Sequence, residues 1–250
     1  LLAVGSITAA NTPLQEKEGI TDSAEAFVED LYKAADMLGL RERCDEDFFK
    51  LYARESGKTV AWLMDQGIVF YGPSSEIPHR VPRMHNVVPT SLAYINTLRK
   101  RAEENGAKIL TGVKAGEIIL DNGKVVGVRG KTLKGEDVEI KSKAVVVAGG
   151  GFSSGYELKR MFLGEEVAKI EGITPKATGD GIMLAMKIGA DTKNMDVLIW
   201  APEIRFIPYT GELLPKFLSK GSLPKFVGLA LKMIPKSLLE KYIIKLASIH

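Results

Sequence analysis

The sequence predicts an α/β fold, and three observations predict it. Amphipathic helical stretches recur between residues 22 and 67 and again from Ser91, a hairpin signal sits at Asp121-Asn122-Gly123, and the apolar run Ala144–Ala148 ends in Gly149-Gly150-Gly151. A short apolar run without polar alternation is expected to be buried on both faces, as in a parallel sheet. The 250 residues carry 34 Lys+Arg against 31 Asp+Glu, a net charge of +3, with 45% hydrophobic residues. That balance excludes a disordered chain and gives no electrostatic case for nucleic acid. Cys44 is the only cysteine, so no intramolecular disulfide is possible, and a lone thiol fits a reducing, cytoplasmic setting. The chain opens Leu1-Leu2-Ala3-Val4-Gly5, without Met and without a basic n-region, and reads as an internal cut rather than a signal peptide. No apolar stretch approaches the about 20 residues of a membrane span.

The elements follow in order. Asp22 or Ser23 caps a helix whose apolar face is Phe27, Leu31, Ala34, Ala35 and Leu38, and Gly39 stops it. A second helix is expected over Glu46–Glu55, and a third carries Val60, Leu63 and Met64 and ends at Gly67. Residues 71–90 hold Pro73, Pro78, Pro82 and Pro89 and read as a long irregular segment, either functional or a plain surface crossover. Ser91 caps a helix with Leu92, Ile95, Leu98 and Ala102 on one face. Short strands are expected at Lys108–Leu110 and Glu117–Leu120. The Asn-Gly turn leads to a return strand at Val125–Val128, and a second turn at Lys134-Gly135-Glu136 leads to a strand with Val138 and Ile140. Helices follow at Tyr156–Phe162 and from Thr178-Gly179-Asp180-Gly181 to Gly189, then a strand at Asp196–Trp200. Beyond Pro202 the texture shifts to prolines and lysines between apolar residues, which sets a boundary there.

Two places carry chemistry. Glycines beyond the end of a buried strand let backbone approach a flat or phosphorylated ligand, although the same residues make an ordinary turn. At Thr178-Gly179-Asp180-Gly181, backbone donors at a helix start favour oxygen-rich ligands and Asp180 can accept from ligand hydroxyls; simple capping is the alternative. His79, His85 and His250 show no metal-ligand spacing, so no metal is expected. The Gly-x-Ser-x-Gly elbow, the phosphate-binding loop of NTPases and the Gly-x-Gly-x-x-Gly fingerprint are all absent.

Several stretches in order resemble one family. They are Ala3-Val4-Gly5-Ser6-Ile7-Thr8-Ala9-Ala10; Val81-Pro82-Arg83-Met84-His85; Asn105-Gly106-Ala107-Lys108-Ile109 with Val113 and the hairpin to Val128; Lys143 to Phe152; and Ala177-Thr178-Gly179-Asp180-Gly181 to Asp191. Their order and spacing resemble the flavoprotein subunits of fumarate reductase and succinate dehydrogenase, especially the soluble fumarate-reductase-like members. The resemblance implies an incomplete FAD-binding Rossmann-like domain over 1–203, with a small antiparallel β hairpin layer, and the start of an α-rich cap domain over 204–250. It implies FAD, with Asp180 contacting the cofactor, Gly5 and Ser6 beside the flavin, Val113 near the adenine through backbone, and Gly149 and Gly150 on the pyrophosphate or adenine side.

The departures shape the expected activity. The family's phosphate loop is not within 1–250, so these residues alone are expected to hold FAD weakly or not at all. The family's substrate-holding His-Pro-Thr falls on Ala201-Pro202-Glu203, and Glu203 would repel a carboxylate. Glu203 and Arg205 stand where substrate contacts are expected, or are simply an exposed pair. The expectation is an FAD-dependent oxidoreductase acting on a carbon–carbon bond of a small organic substrate other than fumarate or succinate, ketosteroid dehydrogenase-like chemistry being a variant, with an unnamed electron donor or acceptor. The rival is a non-catalytic protein that keeps the fold and contacts a membrane surface or a partner through 213–250, where lysines alternate with apolar residues.

Overall fold

The computed structural model describes residues 5–197 and 221–235. Its elements are β1 (Ile7–Thr8), α1 (Pro13–Lys17), α2 (Ala24–Met37), α3 (Glu46–Asp65), β2 (Val69–Ser74), β3 (Met84–Val88), α4 (Leu92–Glu104), β4 (Val113–Asp121), β5 (Lys124–Thr132), β6 (Asp137–Lys141), α5 (Tyr156–Leu163), α6 (Glu165–Ala168), α7 (Asp180–Lys187) and α8 (Leu223–Met233). The chain divides into two compact units, one holding the segment up to Lys108 together with α8, the other beginning at Ile109. The α/β class expected from the sequence is the one found.

The first unit packs helices on a three-stranded antiparallel sheet of order β1-β3-β2. Ser23 caps α2 through its side chain, which accepts from the Ala26 N–H. The two helices expected over 46–67 are one, because Gly57 continues the helix rather than breaking it. A Cβ at Gly57 would stand 2.2 Å from the Ala10 carbonyl oxygen, so the missing side chain is what lets α3 lie against the loop after β1. Ala9, Val60, Leu63, Ile68, Phe70, Val87 and Ala93 form the main core, and Ala10, Phe27 and Ala53 a second cluster. The segment 71–90 is not an irregular loop throughout, since β2 and β3 occupy its ends. Pro73, which has no N–H to give, sits where the β2–β3 register shifts between Tyr71 and Ser74. On the far side of β2, α8 packs through Gly228, where a Cβ would meet the Val69 side chain at 2.7 Å.

The second unit is a meander of order β4-β5-β6 followed by short helices. Asn122 and Gly123 both take positive φ, 48° and 76°, the conformation that a two-residue hairpin turn requires. Pairing begins only at Val113, which faces Thr132, so no strand forms over Lys108–Leu110. The expected buried parallel strand at Ala144–Ala148 is also absent, and Val146 is 89% exposed. A strand exists through its neighbour's hydrogen bonds, and none of the described segments runs beside this one. The expected strand at Asp196–Trp200 lies mostly outside the described residues. No helix among the described residues is long and apolar enough to cross a membrane.

Candidate functional site

In the second unit the glycine run and the start of α7 come together. Gly149 lies over Gly181, and a Cβ on Gly149 would be 3.4 Å from the Gly181 backbone. A Cβ on Gly181 would press on Val147 at 2.7 Å, so close approach requires the glycine at 181, whereas at 149 a methyl would make only ordinary contact. Gly150 and Gly151 have open space where a side chain would be. The loop after them is tied to the loop before α7 by the Ser154 N–H, which donates to the Ala177 carbonyl at 2.8 Å. Gly179 precedes α7 in the left-handed region, with φ 77°. A side chain there would also strike Leu158 and Phe152.

Asp180 opens α7 and is half exposed. The capping alternative does not hold, because α7 has no side-chain cap hydrogen bond. The Thr178 hydroxyl instead donates to Asp180 Oδ1 at 2.9 Å. On the other side Lys114 Nζ lies 3.1 Å from Oδ2. These two donors, Thr178 first, hold the Asp180 carboxyl below the usual range. Lys114 follows Val113 at the start of β4, so the structure brings the Val113 region, Gly149 and Asp180 to one place. Lys114 itself has no sequence signal, since a lysine on an exposed strand becomes meaningful only through the carboxylate it meets.

In the first unit the stretch Gly5–Thr8 is held by side chains from three other elements. Tyr94 of α4 donates to the Gly5 carbonyl at 2.7 Å, and Tyr52 of α3 donates to the Thr8 carbonyl at 2.7 Å. Burial pushes both phenols above their ordinary range. His85 of β3 reaches the Ile7 carbonyl through Nδ1 at 3.2 Å. A carbonyl only accepts, so Nδ1 carries the proton and Nε2 accepts from the Thr12 hydroxyl at 2.8 Å. That fits a fully buried imidazole whose pKa burial pushes down, countered in part by its backbone contacts. Gly5 takes φ 85° with Val87 and Ser91 where a Cβ would be, and Ser6 Oγ donates to Asn86 Oδ1 at 2.8 Å.

Beneath this stretch is a buried ion network. Arg83 is fully buried and grips Asp22 with two hydrogen bonds, at 2.6 and 2.7 Å, and Asp30 with one at 2.7 Å. Its guanidinium carbon lies 4.7 Å from the centroid of the Phe27 ring. Burial alone would raise both carboxyls, but hydrogen bonds from Arg83 and Gln15 to Asp22, and from Arg80, Lys33 and Arg83 to Asp30, pull both below the usual range. Sequence reading marked Arg83 only as part of a loop motif. Glu203 and Arg205 lie outside the described residues. No cluster of three or more His, Cys, Asp or Glu residues able to hold a metal occurs among the described residues.

A glycine floor and an exposed carboxylate at a helix start are the features of a nucleotide-cofactor-binding α/β protein. The sequence comparison makes this specific, because residues 2–214 match a family described as FAD binding domain. The chain belongs to the FAD binding domain family, and FAD is the cofactor this implies. The residues present fit it: Gly149 and Gly181 leave room for a close approach, and Asp180 offers carboxylate oxygen to a hydroxyl. The chain is 30% identical over 211 residues to the urocanate reductase of Eggerthella lenta, covering 79% of this chain and 33% of that protein. It is 29% identical over 199 residues to the NADH:fumarate oxidoreductase of Klebsiella pneumoniae, covering 77% of this chain and 21% of that protein. Among solved structures, an open conformation of a flavocytochrome c3 fumarate reductase matches with a TM-score of 0.70 at 26% identity, over 78% of this chain and 34% of that one. The chain thus spans about a third or less of the length of these relatives.

Proposed function

We propose that this chain is the cofactor-holding part of an FAD-dependent oxidoreductase that adds or removes hydrogen across a carbon–carbon bond of a small organic molecule. The observation that carries the reading is the meeting of Gly149 with Gly181 beside the half-exposed Asp180. Bound flavin would supply two-electron chemistry. The protein's own residues have the remaining tasks. Asp180 accepts from a cofactor hydroxyl, Gly149 and Gly150 admit the pyrophosphate or adenine side, and Val113 meets the adenine through backbone. Gly5 and Ser6 lie beside the flavin, fixed by Tyr94, His85 and Tyr52. Glu203 and Arg205 contact substrate, and 1–203 and 204–250 divide as FAD domain and the beginning of a cap. The relatives named for urocanate and fumarate reduction support an activated double bond as the target. Ala201 in place of the family's substrate-holding histidine argues against fumarate itself.

The test is the visible spectrum of the protein expressed from its complete gene. Flavin absorption is expected in the wild type, with cofactor affinity roughly 10- to 100-fold weaker in Asp180→Ala, the cost of a hydrogen bond to a charged group. Absence of flavin after incubation with excess FAD would overturn the reading. One observation favours a second reading, a non-catalytic membrane-peripheral or partner-binding protein. Phe226, Leu229 and Met233 on α8 are 65%, 60% and 81% exposed beside Lys225. Cosedimentation with anionic vesicles that weakens with salt would support that reading.

A further inference from the structure

Ser6 and Thr8 alternate with Ile7 along β1, so their hydroxyls share one face while Ile7 packs on the core. On that face Thr8 Oγ1 donates to Glu76 Oε2 at 2.8 Å. Glu76 follows β2 and its side chain is 38% exposed, whereas His79 behind it is 7% exposed. Arg83 Nη1 donates to His79 Nδ1 at 3.2 Å, so the imidazole carries its proton on Nε2. Nε2 lies 3.9 Å from the same Glu76 oxygen. A second proton on His79 would set a cation against Arg83, and burial followed by Arg83 pushes its pKa down. His79 is therefore a neutral positioning group and not a relay. Tyr52 of α3 also faces Glu76, which raises the phenol's pKa further, and Asp22 and Asp30 of the α2 region sit beyond His79. Among the described residues, Glu76 Oε1 has no hydrogen-bond partner and is open to a ligand.

We infer that Glu76 is the acid–base residue of this site, held by Thr8 and backed by His79. The inference rests on the proposed function, which puts the Gly5–Thr8 stretch beside the flavin. In the reducing direction the O–H bond of the Glu76 carboxylic acid breaks and a C–H bond forms on the carbon next to the one that takes hydride. The hydride comes from a reduced flavin, which is oxidised. The carboxylate left behind recovers its proton from water at its exposed edge, and oxidation runs the same steps in reverse.

The experiment is an anaerobic redox titration of the flavin in the protein from the complete gene, over pH 5 to 9, comparing wild type, Glu76→Gln and Thr8→Val, with far-ultraviolet circular dichroism as the folding control. Removing the Glu76 charge beside the flavin is expected to favour its reduced form about tenfold at high pH, about 30 mV for a two-electron couple. In Thr8→Val, which keeps the carboxylate but loses the hydroxyl that holds it, a potential between those of wild type and Glu76→Gln is expected. Wild type with bound flavin and a Glu76→Gln curve that superimposes on it would overturn the role of Glu76 while leaving the flavoprotein reading intact. Wild type without flavin would instead sink that reading, and this one with it.

Discussion

Lys114 Nζ lies 3.1 Å from Asp180 Oδ2, so a strand residue and the first residue of α7 share one charge pair at the glycine cradle. An ionised carboxylate accepts from a cofactor hydroxyl more strongly than the neutral acid does, and the lowered pKa of Asp180 keeps it ionised further into acid. In Lys114→Ala that support is lost. Flavin release on acidification, followed by fluorescence, is expected to begin at higher pH than in the wild type. Coincident release curves would show that Lys114 does nothing for Asp180.

The Arg83 network makes a prediction about stability. Replacing Arg83 by Ala leaves Asp22 and Asp30 buried without their partner, and a loss of about 3–5 kcal/mol is expected in urea unfolding. Replacement by Met, which removes the charge but keeps volume, leaves Asp22 with Gln15 but no cation and Asp30 with only Arg80 and Lys33, so Arg83→Met with Asp22→Asn and Asp30→Asn should recover part of the loss.

The same network sets an acid limit. Asp22 and Asp30 have pKa values below 3.8 in the folded state. The sign follows from proton binding: below about 3.8 the unfolded chain takes up protons that the native state refuses, so stability falls with pH there and is fully present above it. Urea midpoints measured from pH 2 to 6 should drop steeply at the acid end, and the drop should flatten in Asp30→Asn.

At the alkaline end Tyr94 and Tyr52 act in the opposite sense. Their raised pKa values mean that above about pH 10 the unfolded chain loses phenol protons that the native state keeps, and stability declines. Tyr94→Phe removes one such group and leaves the Gly5 carbonyl without its donor. It is expected to lower stability at neutral pH by about 1–3 kcal/mol and to soften the decline between pH 10 and 11. Paired urea titrations at pH 7 and 10.5 check both parts.

Gly57 offers a change of sign. In an exposed helix interior, Gly→Ala stabilises by about 1 kcal/mol. Here the added methyl would meet the Ala10 carbonyl at 2.2 Å. Gly57→Ala is expected to destabilise by about 1–3 kcal/mol, read as a lower melting temperature. An unchanged or raised melting temperature would show that α3 does not lie against that loop.

Local chemistry was largely legible from residues alone. The Ser23 cap, the Asn122-Gly123 turn and the helices at 24–37, 92–104 and 156–163 follow from short-range rules and are found. The failures share a cause. The stretch 46–67 reads as two helices and is one, with Gly57 a contact point. The proline-rich stretch 71–90 reads as a loop, and its ends are strands. Val145–Val147 read as a buried strand, though the run has no neighbour among the described residues. In each case what decides is a neighbour outside the local window, Ala10 for Gly57 and the paired strand for β2 and β3, or the lack of one among the described residues for 145–147.

The candidate site divides in the same way. The sequence by itself marked Gly149, Gly150 and Asp180 as residues able to approach or hydrogen-bond a ligand, because a missing side chain or a carboxylate is a property of one residue; Gly5 and Ser6 were marked only by resemblance to the family. The tertiary structure alone decided that Gly149 lies on Gly181, that Lys114 meets Asp180, and that Thr8 meets Glu76 with His79 and Arg83 behind it. Those pairings depend on distances between segments up to 68 residues apart. Coulomb and hydrogen-bond energies act through space, and only folding sets that space.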